Sequence, residues 1–296
     1  MIAVDCFDLP VTNGTKDAFL FFRSEPSGVV KKVNTLEPLM IPGPHKVGRQ
    51  HNFSIVTCMA VLYGTPPLLD EVIRYQKTIG VDHVHMIAEP SILASGALDY
   101  QFVKESLANG FASLRIYKTI LNQFQIYDHS QTLAYHECFL QFRGTYDYIM
   151  YIDTDDFFVP RVSNQKTLHY YIEKWCRIGS CRFEWLQFYP DCGLKPGKSI
   201  DGNMTDMLNS TLHIHRTAQK SIHMLNDLVD VGTHTSYKLL QGKSVKVPPS
   251  DAVVAHIRKN SPFPSNKNCS DTGYAGTDRD VIEHLNMKNN QQTTNK

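Results

Sequence analysis

No run of apolar residues in this chain is long enough to cross a bilayer: the longest, at 54–63 and 18–22, fall far short of the roughly 20 residues a membrane helix needs. No charge of one sign prevails either, since 30 Lys and Arg face 29 Asp and Glu. With no basic block to break that balance, the electrostatic footprint of a nucleic-acid or anionic-membrane partner is excluded. A secretory leader is missing as well, because Asp5 and Asp8 stand where its apolar core would lie and no basic residues precede them. The G-x-S-x-G, H-E-x-x-H and P-loop patterns are absent, which removes the common serine-hydrolase, zinc-protease and nucleotide-triphosphatase readings.

Two features are present that point to an oxidising lumen. Five acceptor patterns for N-glycosylation occur, at Asn13, Asn52, Asn203, Asn209 and Asn268. Seven cysteines (Cys6, Cys58, Cys138, Cys176, Cys181, Cys192 and Cys269) allow up to three disulfides and one free thiol. Cys58, inside an apolar run, reads equally as a buried thiol, and Cys176 with Cys181 suits a disulfide or two structural thiols better than zinc. Lumenal signals without a leader or anchor point to a piece of a longer protein.

Residues 1–52 read as an irregular lead-in, rich in Pro, Gly and Lys around 38–48, with one short strand at 18–23. From Phe53 strands and helices alternate, the rhythm of parallel strands joined by helical crossovers. The periodicity predicts strands at 53–62, 81–88, 111–117 and 146–152, with helices at 66–79, 97–107 and 131–142 between them. Beyond Pro160 it is less regular, with a helix at 168–175 and strands at 182–189, 210–216, 221–225 and 252–256. The fold class is therefore α/β, a mostly parallel sheet flanked by helices. The chain ends in a polar tail at 286–296.

The fourth strand runs into Asp153-Thr154-Asp155-Asp156. Carboxylates there stand at the carboxyl edge of the sheet, where open α/β folds bind ligands. A strand period of two places Asp153 and Asp155 on one side, able to share a divalent cation, with Asp156 pointing elsewhere. Mg²⁺ or Mn²⁺, held by one or two carboxylates and the phosphates of a substrate, suits such a pair. Taken alone the cluster is also what a turn or helix cap shows.

Several stretches in order are similar to glycosyltransferase family 92. Ala60-Val61-Leu62-Tyr63-Gly64, Leu68-Leu69-Asp70-Glu71 and Gly80-Val81-Asp82-His83 resemble its opening strand and helix. Tyr135-His136-Glu137-Cys138 and the run YIMYIDTDDFFVP at 148–160 look like its cysteine-bearing helix and D-x-D-E-F-x-x-P core. Phe183-Glu184-Trp185-Leu186-Gln187-Phe188, Lys220-Ser221-Ile222, Gly232-Thr233-His234 and Ala255-His256-Ile257-Arg258 match later blocks. Asp156 stands where the family usually has Glu, a shorter arm that would retune metal geometry or lower activity.

The resemblance implies a Rossmann-like GT-A domain at 53–262, followed by an extension and tail at 263–296. It further implies an inverting transfer of a hexose, with UDP-galactose a known donor of the family, to a glycan acceptor on a glycoprotein or glycolipid. A type II anchor in the Golgi membrane, outside this chain, is implied too. In a GT-A site, Asp153 and Asp155 would hold Mn²⁺ or Mg²⁺ against the diphosphate of the UDP-sugar, with His256 or His234 completing the shell. Arg258 and Lys220 could pair with diphosphate oxygens. A general base is also required, and Glu184, between two aromatic residues, competes for it with Asp191 and Asp227, with Asp156 a further catalytic candidate. His83 with His85, and His213 with His215, share strand faces but lack a third ligand at matching spacing. A DxD phosphohydrolase and an inactive glycan-binding module are the alternatives.

Overall fold

The computed structural model describes residues 3–6, 20–23, 53–61, 66–88, 91–116, 127–162, 167–177, 179–190, 212–232, 236–240 and 243–257. Two compact units divide the chain, Met1–Gly43 and Pro44–Lys296. The first contains β1 (Ala3–Cys6) paired antiparallel with β2 (Leu20–Arg23), Ala3 opposite Arg23. β2 lies within the strand expected at 18–23, whereas β1 gave no periodic signal.

The second unit opens with β3 (Ile55–Val61), α1 (Pro66–Thr78), β4 (His83–Ala88) and the short α2 (Ser91–Ala94). A 3-10 turn at Ala97–Asp99 and α3 (Gln101–Ala108) replace the single helix expected at 97–107, because Tyr100 between them is extended at φ −61°, ψ 138°. Next come β5 (Ala112–Ile116), α4 (Tyr127–Phe142), β6 (Tyr148–Asp153) and β7 (Asp156–Pro160). α5 (Leu168–Trp175), β8 (Ser180–Pro190), β9 (Leu212–Met224), β10 (Leu228–Val231), β11 (Ser236–Leu239), β12 (Ser244–Lys246) and β13 (Ala252–Ile257) complete it.

One sheet of nine strands organises these elements in the order β5-β4-β3-β6-β9-β8-β13-β7, with β12 beside β8. The first four run parallel, and numbered along the chain from β3 their spatial order is third, second, first, fourth. That is the doubly wound half whose ligand crevice opens where the order reverses, between β3 and β6. β9 then runs antiparallel to β6 and to β8, and β7 antiparallel to β13. β6 and β7 are consecutive in the chain yet lie far apart along this path. Since only Thr154 and Asp155 separate them, the sheet has to curl until its far edge returns to the end of β6.

Alternation along the strands divides the core between the two faces. Ile55 and Met59 of β3 and Tyr148, Met150 and Ile152 of β6 pack with α1, β7 and α5. Val56, Cys58, Ala60, Ile149 and Tyr151 pack on the other face beneath Ala134, Tyr135, Cys138, Phe139 and Phe142 of α4. Burial on both faces accounts for the nearly continuous apolar runs in β3 and β6. Continuing the alternation one step past Tyr151 sets Asp153 on the α4 side.

Two disulfides occur among the described residues. Cys58–Cys138 ties α4 to β3 and Cys176–Cys181 joins the end of α5 to β8. The two strands expected at 210–216 and 221–225 are one, β9, because the polar residues between them pair with β8 across a bulge at Trp185 and Leu186.

Candidate active site

The carboxylate cluster is built at a strand end, a turn and a strand start. β6 stops at Asp153, Thr154 and Asp155 form the turn, and Asp156 begins β7. The strand period of two therefore ends at Asp153. Asp156, expected to point elsewhere, returns into the cluster. Pairing of β7 with β13 sets His256 opposite Asp156, and the Ile257 amide donates to the Asp155 carbonyl at 2.9 Å, so the neighbouring strand fixes the turn.

Within this frame, Asp153, Asp155, Asp156 and His256 each present one ligand atom, all within 4.8 Å of one another. Asp156 is wholly buried while Asp153 and Asp155 are 22% and 26% exposed, so the cluster opens to solvent along those two. Three carboxylates and an imidazole form an oxygen-rich set suited to a hard or borderline divalent cation. In donor chemistry and spacing, the residues present fit Mn²⁺ or Mg²⁺.

Asp156 is the best-satisfied carboxylate of the three. Its Oδ1 accepts from Trp185 Nε1 and lies against His256 Nδ1, both at 2.8 Å, while Oδ2 accepts from the Asp153 amide at 2.8 Å and pairs with Lys220 Nζ at 2.9 Å. Burial disfavours its charge, but the Lys220 ammonium, His256 and these hydrogen bonds outweigh that and hold the carboxyl well below the usual range. His256 lies 3.2 Å from Asp155 as well. Burial of this imidazole opposes its proton, yet Asp155 and Asp156 raise its pKa overall.

Asp153 is held from two sides. Lys220 Nζ reaches its Oδ2 at 2.9 Å, and Oδ1 accepts from Gln131 Nε2 and, at 3.3 Å, from Tyr135 Oη. The tyrosine also donates to the Ile152 carbonyl at 3.1 Å, and burial together with Asp153 and Asp156 raises its phenol well above the ordinary value, keeping it a donor. Gln131 and Tyr135 are one turn apart on the inward face of α4, and neither was marked as functional by the sequence. Their four-residue spacing, with a glutamine on an otherwise apolar face, was the available signal.

Lys220 comes from β9, is 1% exposed at the side chain, and lies 5.1 Å from the centre of the Trp185 ring. A solvated surface charge is thus excluded for it. Glu184 precedes Trp185 on β8, and since strand side chains alternate it leaves the sheet on the face opposite Trp185 and the cluster. Asp227 is buried beside the amino end of β6, where the Leu225 amide meets the Asp147 carbonyl, at the end of the strand away from Asp153. His83 and His85 share one hydroxyl, Ser113 Oγ, at 2.7 Å each, and form no part of the cluster. Asp191, Arg258 and His234 lie outside the described residues, as do the asparagines of the five glycosylation patterns.

Solved structures with a related trace include apo UDP-glucose pyrophosphorylase, at 8% identity and TM-score 0.32 over 80% of this chain and 99% of that one. UDP-glucose pyrophosphorylase complexed with UDP-glucose matches at 10% and 0.31, over 81% and 99%. Neither likeness is close enough to carry an argument. No curated protein sequence matches the chain. The sequence profile described as glycosyltransferase family 92 matches residues 53–295, a span that holds every strand of the curled sheet and the whole carboxylate cluster, and the chain belongs to that family.

Proposed function

We propose that this glycosyltransferase is metal-dependent and moves a hexose, galactose from UDP-galactose being the expected donor, onto a glycan acceptor with inversion. The observation that carries the reading is the convergence of Asp153, Asp155, Asp156 and His256 within 4.8 Å, at the carboxyl end of β6 beside the switch point of the sheet. Asp155 and Asp153 would hold Mn²⁺ or Mg²⁺ from the open side, with His256 behind them. The bound ion would offset the charge of the departing UDP diphosphate.

The chain's own residues would do the remaining work. Asp156 keeps Asp153 and His256 in register through its four contacts, and Gln131 and Tyr135 fix the direction of Asp153. Arg258, next to the end of β13, is the candidate for bidentate pairing with diphosphate oxygens. An inverting transfer also needs a base that takes the acceptor hydroxyl proton as its oxygen attacks the sugar C1 and the bond to UDP breaks. Asp191, adjacent in the chain to the end of β8, is the better candidate than Glu184, whose carboxylate faces away from the cluster. Phosphohydrolysis through an Asp153 nucleophile is disfavoured because donors engage both of its oxygens. The two disulfides fit a lumenal, Golgi setting. Among the described residues no helix is long and apolar enough to cross a membrane.

Release of UDP from UDP-sugars in the presence of Mn²⁺ tests this reading. Asp155→Asn should reduce turnover at least about 100-fold and leave the melting temperature near that of wild type, because the Asp155 carbonyl still accepts from the Ile257 amide and the asparagine keeps a side-chain oxygen for His256. Turnover that persists unchanged in EDTA and in this variant would overturn the metal role. A donor screen across UDP-galactose, UDP-glucose and their N-acetyl forms identifies the sugar.

A further inference from the structure

Lys220 is one of two residues, with Arg258, expected to meet a diphosphate, yet its side chain is 1% exposed and its ammonium already engaged. It reaches Asp153 Oδ2 and Asp156 Oδ2 at 2.9 Å each, from a strand that stands between β6 and β8 in the sheet. These carboxylates bracket the turn, one ending β6 and the other opening β7. Together with Asp155 they form a group of three anionic side chains in one small volume, an arrangement that repels itself unless positive charge is brought in. A divalent ion can supply that charge only when bound.

We propose that Lys220 is the internal counter-cation of this cluster, a positioning residue that clamps Asp153 to Asp156 across the turn and preserves the shape of the site when no divalent ion is bound. With His256 neutral, as a metal ligand must be, three carboxylates and one ammonium leave two negative charges, which one divalent cation balances. A lysine suits the task because its compact ammonium can meet two oxygens at once from within the core. Trp185 closes the remaining side, its ring 5.1 Å from Nζ and its own N–H on Asp156 Oδ1. With its side chain 1% exposed and two of its three N–H donors on carboxylates, Lys220 is shut off from a phosphate arriving from solvent, so the donor diphosphate is left to groups on the open side of the site.

The test uses thermal melts of the full chain, first in EDTA. Lys220→Met should lower the melting temperature on the order of 10 °C, as expected when one partner of a buried ion pair is removed. Asp153→Asn combined with Lys220→Met should recover at least half of that loss, because the asparagine removes one repelling charge and keeps an oxygen for Gln131 and Tyr135. If Lys220→Met melts with wild type, or the double variant is no more stable than the single one, the lysine is not a counter-cation and the proposal falls. Should Lys220→Met fail to fold, folding of the double variant supports the proposal and its failure overturns it.

A second arm rests on the metal reading. Saturating Mn²⁺ should raise the melting temperature of Lys220→Met by more than that of wild type. Rescue by Asp153→Asn without rescue by Mn²⁺ would leave the counter-cation standing and count against the metal site.

Discussion

Asp156 illustrates how a carboxylate can be central to a site without being open to a substrate. Its oxygens are met by an indole N–H, an imidazole, a backbone amide and an ammonium, and a wholly buried charge is tolerated only with partners of this kind. Trp185→Phe keeps the aromatic bulk but removes one donor from that set. A stability loss of about 2–3 kcal/mol is expected, read as a lower urea midpoint at unchanged m-value. The DTDD run and His256 were legible in the sequence, the first from its place after an apolar strand and the second through the family blocks. The roles of Trp185 and Tyr135 were not, because each looks like ordinary core until the sheet curls and α4 docks, and Gln131 showed only as a lone polar residue on an apolar helix face. Asp156 was misplaced for a related reason: strand alternation was carried through two residues that form a turn.

Elements are where the sequence was most informative, and α5 was placed residue for residue by its apolar periodicity. β7 was missed because its five residues directly follow the acidic cluster and read as its tail. β9 was cut in two because Thr217, Ala218, Gln219 and Lys220 carry no strand pattern of their own; Ala218, Gln219 and Lys220 pair only because β8 lies alongside, and Thr217 falls at the bulge. α4 matters most for function, since it carries Gln131 and Tyr135 to Asp153 and is fastened to β3 by Cys58–Cys138, a bridge spanning 80 residues of chain. Replacing both cysteines by Ala should cost about 4 kcal/mol through the longer loop released in the unfolded state, against about 2 kcal/mol for the Cys176–Cys181 pair. Denaturation of the two double variants without reductant measures the difference. The Cys58–Cys138 variant should also raise KM for the donor, as Asp153 loses its fixed direction.

For the whole molecule, acid should be more damaging than base. His85 is pushed down to about 3 by burial, then by His83 and Arg115, and His223 is pushed down to about 3 by burial alone. Both remain neutral in the folded protein at pH values where the unfolded chain takes up protons. Their contribution is therefore complete above about pH 6.5 and is lost as pH falls towards 3, at about 1.4 kcal/mol per unit for each. His256 runs the other way: its raised pKa gives stability that is complete below the unfolded value and is lost only as pH rises through the folded one, so it does not offset the acid limb. Melting temperature recorded from pH 8 to 4 should hold or rise slightly down to about pH 6.5 and then descend, and His223→Asn should make the descent shallower. A profile unaffected by that substitution would remove His223 from the account.

The two-residue link between β6 and β7 has a consequence for how this molecule moves. It joins the parallel half of the sheet to its far edge, and Asp155 grips that edge through the Ile257 amide. It acts as the clasp of a bracelet, and the groups offered to a ligand are the parts of the clasp itself. Any breathing that parts β6 from β7 and β13 must pull Asp153 away from Asp156 and His256, so loosening of the sheet and disassembly of the site are one event. A ligand seated there locks the curled sheet as a whole, and strands that never touch it are stiffened with the rest.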